Sequence, residues 1–136
     1  MKAFFADTFY WAALTKIDDP AHEHALELSR SLAPDNVVTT DEVLAEYLTF
    51  FAGTGSHLRD SVSRMVAELL DGSEVLVIPQ SRESFRQGLA LYRARLDKGY
   101  SLTDCIFMQT MRREGLTEVL TNDRHFEQEG FRALFR

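Results

Sequence analysis

Short apolar segments alternate with longer amphipathic segments along the whole chain. The short segments, rich in apolar and β-branched residues, predict strands at residues 2–6, 37–40, 75–78 and 118–121. The longer segments carry apolar residues at three- and four-residue spacing and predict helices at about 8–17, 20–32, 41–52, 57–70, 81–97 and 101–114. A tail at residues 131–135 is expected to add an edge strand.

This alternation predicts an α/β fold: a parallel sheet of four to five strands with helices on both faces. No repeat, linker or low-complexity segment divides the 136 residues, so we expect a single domain over residues 1–136. The ordinary winding of such a chain places the first and fourth strands side by side. Ligands bind at that switch point, outside the carboxyl ends of the strands.

The helix predicted from residue 101 carries an acid that its apolar surroundings do not explain. Apolar residues occupy nearly every side of its first turns, and a helix of that kind is usually buried. Asp104 lies in the first turn, with no Lys or Arg within four residues. A buried carboxylate without a partner is unfavourable, so we expect it to take up a proton, form a pair or bind a metal.

Three further acids are predicted to reach the same edge of the sheet. Asp7 directly follows the first strand, Asp123 follows the fourth, and Glu46 lies in the helix after the second strand. Glu42 is the main rival to Glu46, because both lie on the same side of that helix. Two carboxylates about 4 Å apart repel each other by roughly 4 kcal/mol at an intermediate dielectric, so such a cluster requires a cation or bound protons.

The predicted cluster is typical of a site for a hard divalent cation. Carboxylate ligands without Cys or His suit Mg²⁺ or Mn²⁺. These ions activate water and stabilise the charged oxygens of a phosphodiester during cleavage. A single acid such as Asp104 is more simply explained by the helix dipole, but four acids in matching places favour metal-assisted phosphodiester hydrolysis.

Charge and cysteine content narrow the class of protein. The net charge of −6 arises entirely within residues 1–50, which argues against binding nucleic acid by bulk charge but not against contact with a few phosphates. Asp7 interrupts the only candidate signal-peptide core, and no apolar run is long enough to span a bilayer. The single cysteine, Cys105, cannot form an internal disulfide. We therefore expect a soluble cytoplasmic protein without membrane association.

Four segments, in order along the chain, resemble the PIN-domain nucleases, and in particular the VapC-type toxin ribonucleases of toxin–antitoxin pairs. They are residues 5–8 (FADT), 39–46 (TTDEVLAE), 101–105 (SLTDC) and 120–126 (LTNDRHF). The resemblance spans nearly the whole chain. It favours Glu46 over Glu42 through the match at residues 43–46.

The resemblance implies a three-layer αβα sandwich with strand order 3-2-1-4-5, Mg²⁺ or Mn²⁺ as cofactor, cleavage of RNA, a homodimer and an inhibitory antitoxin partner. It also implies roles for individual residues. The catalytic metal-binding acids would be Asp7, Glu46, Asp104 and Asp123, and the hydroxyl residues that orient carboxylates or waters would be Thr8, Ser101 and Thr121. Arg124, beside Asp123, is placed to contact substrate or antitoxin. The four histidines form no zinc pattern. His125 could reach the site, but for it we favour a surface role.

Other enzymes and a non-enzymatic role were weighed against this prediction. A haloacid-dehalogenase-type phosphohydrolase requires a second Asp where this chain has Phe9, and a receiver domain requires an Asp where it has Pro79. A binding or scaffold protein with the same fold has no reason to retain four mutually repelling acids. A DNA-directed metal-dependent nuclease stays an alternative, although the chain lacks appended DNA-binding elements.

Overall fold

The computed structural model describes residues 2–136 as a five-stranded sheet between two layers of helices. The strands are β1 (Phe4–Ala6), β2 (Val37–Thr40), β3 (Leu76–Ile78), β4 (Glu118–Leu120) and β5 (Arg132–Ala133). The helices are α1 (Thr8–Thr15), α2 (His22–Ser31), α3 (Asp41–Phe50), α4 (Ser56–Asp71), α5 (Arg82–Ala94), α6 (Leu102–Arg113) and α7 (Arg124–Gln128). Within this range, no helix combines the length and apolar character that crossing a membrane requires.

All strand pairs are parallel, and the strand order is β3-β2-β1-β4-β5. This confirms the predicted order 3-2-1-4-5. Phe5 in β1 lies opposite Val38 of β2 on one side and Val119 of β4 on the other. Strands β1 and β4 are therefore neighbours, and their carboxyl ends open at the switch point of the sheet.

The helices form two layers because the chain changes direction after β3. The crossovers from β1 to β2 to β3 run one way along the sheet and the crossover to β4 runs back. With right-handed connections, α1 to α4 cover one face while α5 and α6 cover the other. Helices α5 and α6 approach closely at Gly88, where an added Cβ would lie only 3.0 Å from the Ile106 Cα. This packing seats α6 against the sheet, with Phe107 in contact with Phe5 of β1.

Several element boundaries differ from the predicted ones. Helix α1 ends at Thr15, and α2 begins at His22 rather than at residue 20. The Asp19 carboxylate accepts a hydrogen bond from the Ala21 amide and fixes a turn before α2. The edge strand in the tail is confirmed but shorter, and the five-residue helix α7 was not predicted.

Candidate metal centre

Asp7 is held at the end of β1 by two hydrogen bonds. One carboxylate oxygen, Oδ1, accepts from the Thr8 amide at 2.8 Å, so Asp7 is the N-cap of α1. The other oxygen, Oδ2, accepts from the Thr121 hydroxyl at 2.8 Å. Thr121 follows β4, so this bond joins the ends of the two central strands. The prediction that the two strand ends meet here is confirmed.

Burial raises the pKa of Asp7 from 3.8 to about 7. Its side chain is largely withdrawn from water, the whole residue being only 8% exposed. The hydrogen bonds from Thr121 and Thr8 lower the pKa, whereas the negative charges of Asp104 and Glu46 raise it. Asp7 is therefore a carboxyl group whose charged form requires a compensating cation.

Glu46 is oriented toward this site by Thr8. The Thr8 hydroxyl donates a 2.6 Å hydrogen bond to Glu46 Oε1, which links the start of α1 to the middle of α3. The charge of Glu46 acts on the pKa of both Asp7 and Asp104. Glu42 forms no hydrogen bond to Thr8, and it is not among the main causes of either pKa shift.

Asp104 lies in the first turn of α6, as predicted. The Ser101 hydroxyl accepts a 3.0 Å hydrogen bond from the Asp104 amide and caps the helix. Ser101 thereby fixes the start of α6 and the position of Asp104 in its first turn. The Asp104 side chain is 19% exposed. Burial raises its pKa, the negative charge of Asp123 raises it further, and Ser101 lowers it.

Asp123 and His125 complete the cluster. Asp123 caps α7 by accepting a 2.9 Å hydrogen bond from the His125 amide. The His125 ring nitrogen Nδ1 lies 3.5 Å from Asp123 Oδ1 and 3.9 Å from Asp104 Oδ2. Ligand atoms of these three residues lie within 4.8 Å of one another. The prediction of a surface role for His125 is therefore wrong, because its Nδ1 atom faces the two acids.

A network behind the site holds the His125 ring in place. Tyr100 packs against the ring, with 5.1 Å between centroids, and its hydroxyl donates to Glu129. Glu129 also accepts from Arg95 and Arg112 and is nearly buried. Burial alone would raise the pKa of Glu129, but the hydrogen bonds from Arg95, Arg112 and Tyr100 lower it to about 2. Arg95 and Arg112 therefore stabilise the structure behind the site through Glu129.

The four acids lack basic partners. Within residues 2–136, no Lys or Arg nitrogen lies within 4.0 Å of the carboxylates of Asp7, Glu46, Asp104 or Asp123. Arg124 is exposed and forms no ion pair with any described residue, which leaves its side chain available. Asp104, Asp123 and the unpartnered His125 Nδ1 form a donor set that fits a divalent cation. Asp7 and Glu46 lie close enough to act on the pKa of this group or of each other, but their oxygens are not within 4.8 Å of all three ligand atoms.

A cavity of about 580 Å³ opens beside the carboxylates. Thr8 and Glu46 form its border with the acidic cluster, and Ala45, Phe50 and Ile106 give it an apolar wall. Glu42 lines the same cavity. The volume and mixed lining suit a bound organic group next to the acids.

Comparison with known proteins identifies the family. Residues 4–131 match the PIN domain, so the chain belongs to the PIN-domain family. No curated protein sequence matches the chain significantly.

Solved structures agree with this assignment. VapC20 of Mycobacterium tuberculosis, described as a Sarcin-Ricin loop cleaving toxin, superimposes with a TM-score of 0.82 at 27% identity, covering 95% of this chain and 96% of VapC20. The predicted resemblance to VapC-type proteins is thereby confirmed. FitAB bound to an IR36 DNA fragment has a TM-score of 0.72 at 16% identity, covering 96% of this chain and 93% of FitAB. FitAcB of Neisseria gonorrhoeae has a TM-score of 0.67 at 16% identity over 96% and 95% of the two chains. These two show the shared fold.

Proposed function

We propose that this PIN-domain protein is a divalent-metal-dependent endoribonuclease and the toxin of a toxin–antitoxin pair. The observation that carries the proposal is the cluster of Asp104, Asp123 and His125, whose ligand atoms lie within 4.8 Å of one another. Asp7 and Glu46 support it, because their charges and that of Asp104 act on one another and none of these acids has a Lys or Arg partner. These four acids would hold the metal ion, Mg²⁺ or Mn²⁺.

The bound cation would activate water and stabilise the oxygens of the scissile phosphodiester. The chain's own residues prepare for this. Asp7 would be held in its charged form by a bound cation, and Thr121 and Thr8 keep its two oxygens in fixed directions. Thr8 also orients Glu46, so a single hydroxyl residue connects two of the acids. The adjacent cavity provides room for the part of the RNA next to the cleaved bond.

RNA as the substrate is supported by the similarity to VapC20, which cleaves the Sarcin-Ricin loop. Purified protein should cut a labelled RNA hairpin carrying that loop in the presence of Mn²⁺ or Mg²⁺. A DNA hairpin of the same sequence should stay intact, and excess chelator should stop the reaction. Cleavage that is indifferent to chelator would contradict the metal mechanism. Cleavage of the DNA alone would favour a DNA-directed nuclease.

Substitutions at Glu46 and Glu42 form a matched pair that shows which glutamate of α3 belongs to the metal site. We expect Glu46→Gln to reduce RNA cleavage by about 10²-fold or more, because removing one charged metal ligand weakens transition-state stabilisation by several kcal/mol. Glu42→Gln should change the rate by less than about threefold, since Glu42 lines the cavity without the Thr8 hydrogen bond that orients Glu46. Single-turnover rates at saturating Mn²⁺ measure both. Equal losses would show that the two glutamates share the role.

An antitoxin partner is supported by the description of VapC20 as a toxin. Expression of the chain in a bacterial host should arrest growth, and co-expression of the small protein encoded next to it should relieve the arrest. Asp104→Asn, expressed at the same level, should not arrest growth. Growth arrest by both the wild type and Asp104→Asn would show that toxicity does not depend on the carboxylate site.

We also propose a homodimer that uses the exposed apolar row on α5. Phe85, Leu89 and Tyr92 follow helical spacing and are all exposed, and Leu96 lies just beyond them. Leu89→Glu should shift the protein from twice the chain mass to once the chain mass in light scattering. Leu70→Glu, which changes an exposed leucine on α4, is the matched control and should leave the dimer intact. A wild-type protein of single-chain mass would contradict the dimer.

A further inference from the structure

We propose that His125 is a direct nitrogen ligand of the metal and makes the site prefer Mn²⁺ over Mg²⁺. The inference rests on the proposed function, because it assumes that Asp104 and Asp123 bind a divalent cation. It adds a ligand outside the four acids and a choice of ion to that site.

The first observation is the position of the His125 Nδ1 atom. It is buried, has no hydrogen-bond partner among the described residues and faces two carboxylates. Its distances of 3.5 Å to Asp123 and 3.9 Å to Asp104 give no hydrogen bond with either acid. Neighbouring ligands of a divalent cation with bonds near 2.1 Å lie about 3 Å apart. Nδ1 therefore has to approach each of the two carboxylates by less than about 1 Å to share an ion with them.

The second observation is that two contacts fix the position of the His125 ring relative to the acids. The His125 amide is bound to Asp123 Oδ1 at 2.9 Å, so the acid and the imidazole move together as the first turn of α7. Tyr100 packs against the ring and is itself tied to Glu129, which two arginines hold. The ring is thus directed at the acids before any ion binds.

The identity of the ion follows from ligand chemistry. Mg²⁺ favours carboxylates and water in a strict octahedron and gains little from imidazole. First-row transition ions bind nitrogen more strongly, in the order Mn²⁺ below Co²⁺. A site of carboxylates and one imidazole therefore favours Mn²⁺ over Mg²⁺, and Co²⁺ should bind more tightly still.

Pulsed electron paramagnetic resonance of Mn²⁺ bound to the whole chain tests the contact directly. The wild type should show electron spin-echo modulation from a directly bound imidazole ¹⁴N, and incorporation of ¹⁵N-labelled histidine should change its frequency. His125→Asn, which presents an amide oxygen where Nδ1 lies, should lose the signal. His57→Gln, which changes an exposed histidine on α4, should keep it.

Competition between Mn²⁺ and Mg²⁺ gives the second readout. The ratio of their affinities should fall by about tenfold or more in His125→Asn, since even groups behind the ligands change metal affinity by 10- to 100-fold. Absence of a histidine signal in wild type that binds Mn²⁺ would overturn the role of His125 and leave the proposed nuclease standing. Failure to bind either ion would overturn both. A signal that persists in His125→Asn would assign the nitrogen to another histidine and also refute the inference.

Discussion

Replacing Asp104 by Asn is expected to slow RNA cleavage by at least about 10³-fold at saturating Mn²⁺. The Asp104 carboxylate, in the first turn of α6, interacts electrostatically with both Asp123 and Glu46. A metal ion contributes several kcal/mol of transition-state stabilisation, and each 1.4 kcal/mol corresponds to a factor of ten in rate. Losing a central ligand removes most of that contribution.

The substitution isolates the chemistry from folding. Ser101 caps α6 through the backbone amide of residue 104, which Asn retains, so the helix start is unchanged. Single-turnover cleavage and thermal unfolding should be measured on the same preparation. A variant that melts normally and still cleaves within tenfold of the wild-type rate would refute the assignment of Asp104.

Replacing Asp7 by Asn should abolish cleavage and, at the same time, stabilise the metal-free protein at alkaline pH. The Asp7 carboxylate is nearly buried beside two other acids, and its pKa is raised to about 7 mainly by burial. Asn has the same shape and carries no charge. It can accept from the Thr8 amide and donate to the Thr121 hydroxyl, so the two hydrogen bonds at this position survive.

The direction of the pH effect follows from the two pKa values. The folded-state pKa of about 7 exceeds the ordinary value of 3.8, so the folded state favours the protonated carboxyl. Stability is unaffected by this group below pH 3.8, falls as the pH rises toward 7, and stays reduced above 7. The full difference corresponds to about 4 kcal/mol. Asp7→Asn should therefore melt higher than wild type at pH 8 and similarly to it at pH 4.

Urea unfolding in the presence of chelator, repeated from pH 4 to pH 8, measures this effect. Thr121→Val is a useful companion variant, because it removes a hydrogen bond to the charged carboxylate and should lower stability most at pH 8. If Asp7→Asn is less stable than wild type at pH 8, Asp7 is neither desolvated nor repelled by its neighbours as described.

Sequence reasoning reached the sheet, the position of Asp7 at the end of β1 and that of Asp104 in the first turn of α6, because their signals are local. Alternating short and long apolar segments define a parallel sheet, and connection rules then restrict the order of its strands. Asp7 and Asp104 adjoin such elements directly, and a charged residue in an apolar helix departs from the expected pattern. The roles of Thr8 and Thr121 as partners of Glu46 and Asp7 came from the family resemblance, and the structure shows those hydrogen bonds.

The remaining features depend on contacts between distant residues. Helix α7 has only five residues, too few for a periodic pattern, and the position of His125 depends on that helix. The support of its ring by Tyr100 and Glu129 joins residues up to 29 positions apart. The sequence around Gly88 also does not indicate that this glycine allows α5 to approach α6. Only the folded arrangement brings these residues together.

Anomalous diffraction from crystals soaked in Mn²⁺ locates the metal directly. A manganese peak is expected at the carboxyl ends of β1 and β4, within about 2.5 Å of carboxylate oxygens of Asp7 and Asp104. The peak should disappear in crystals of Asp104→Asn soaked in the same way. A fully soaked wild-type crystal without a peak at this position, or with manganese bound only elsewhere, would contradict the proposed metal centre.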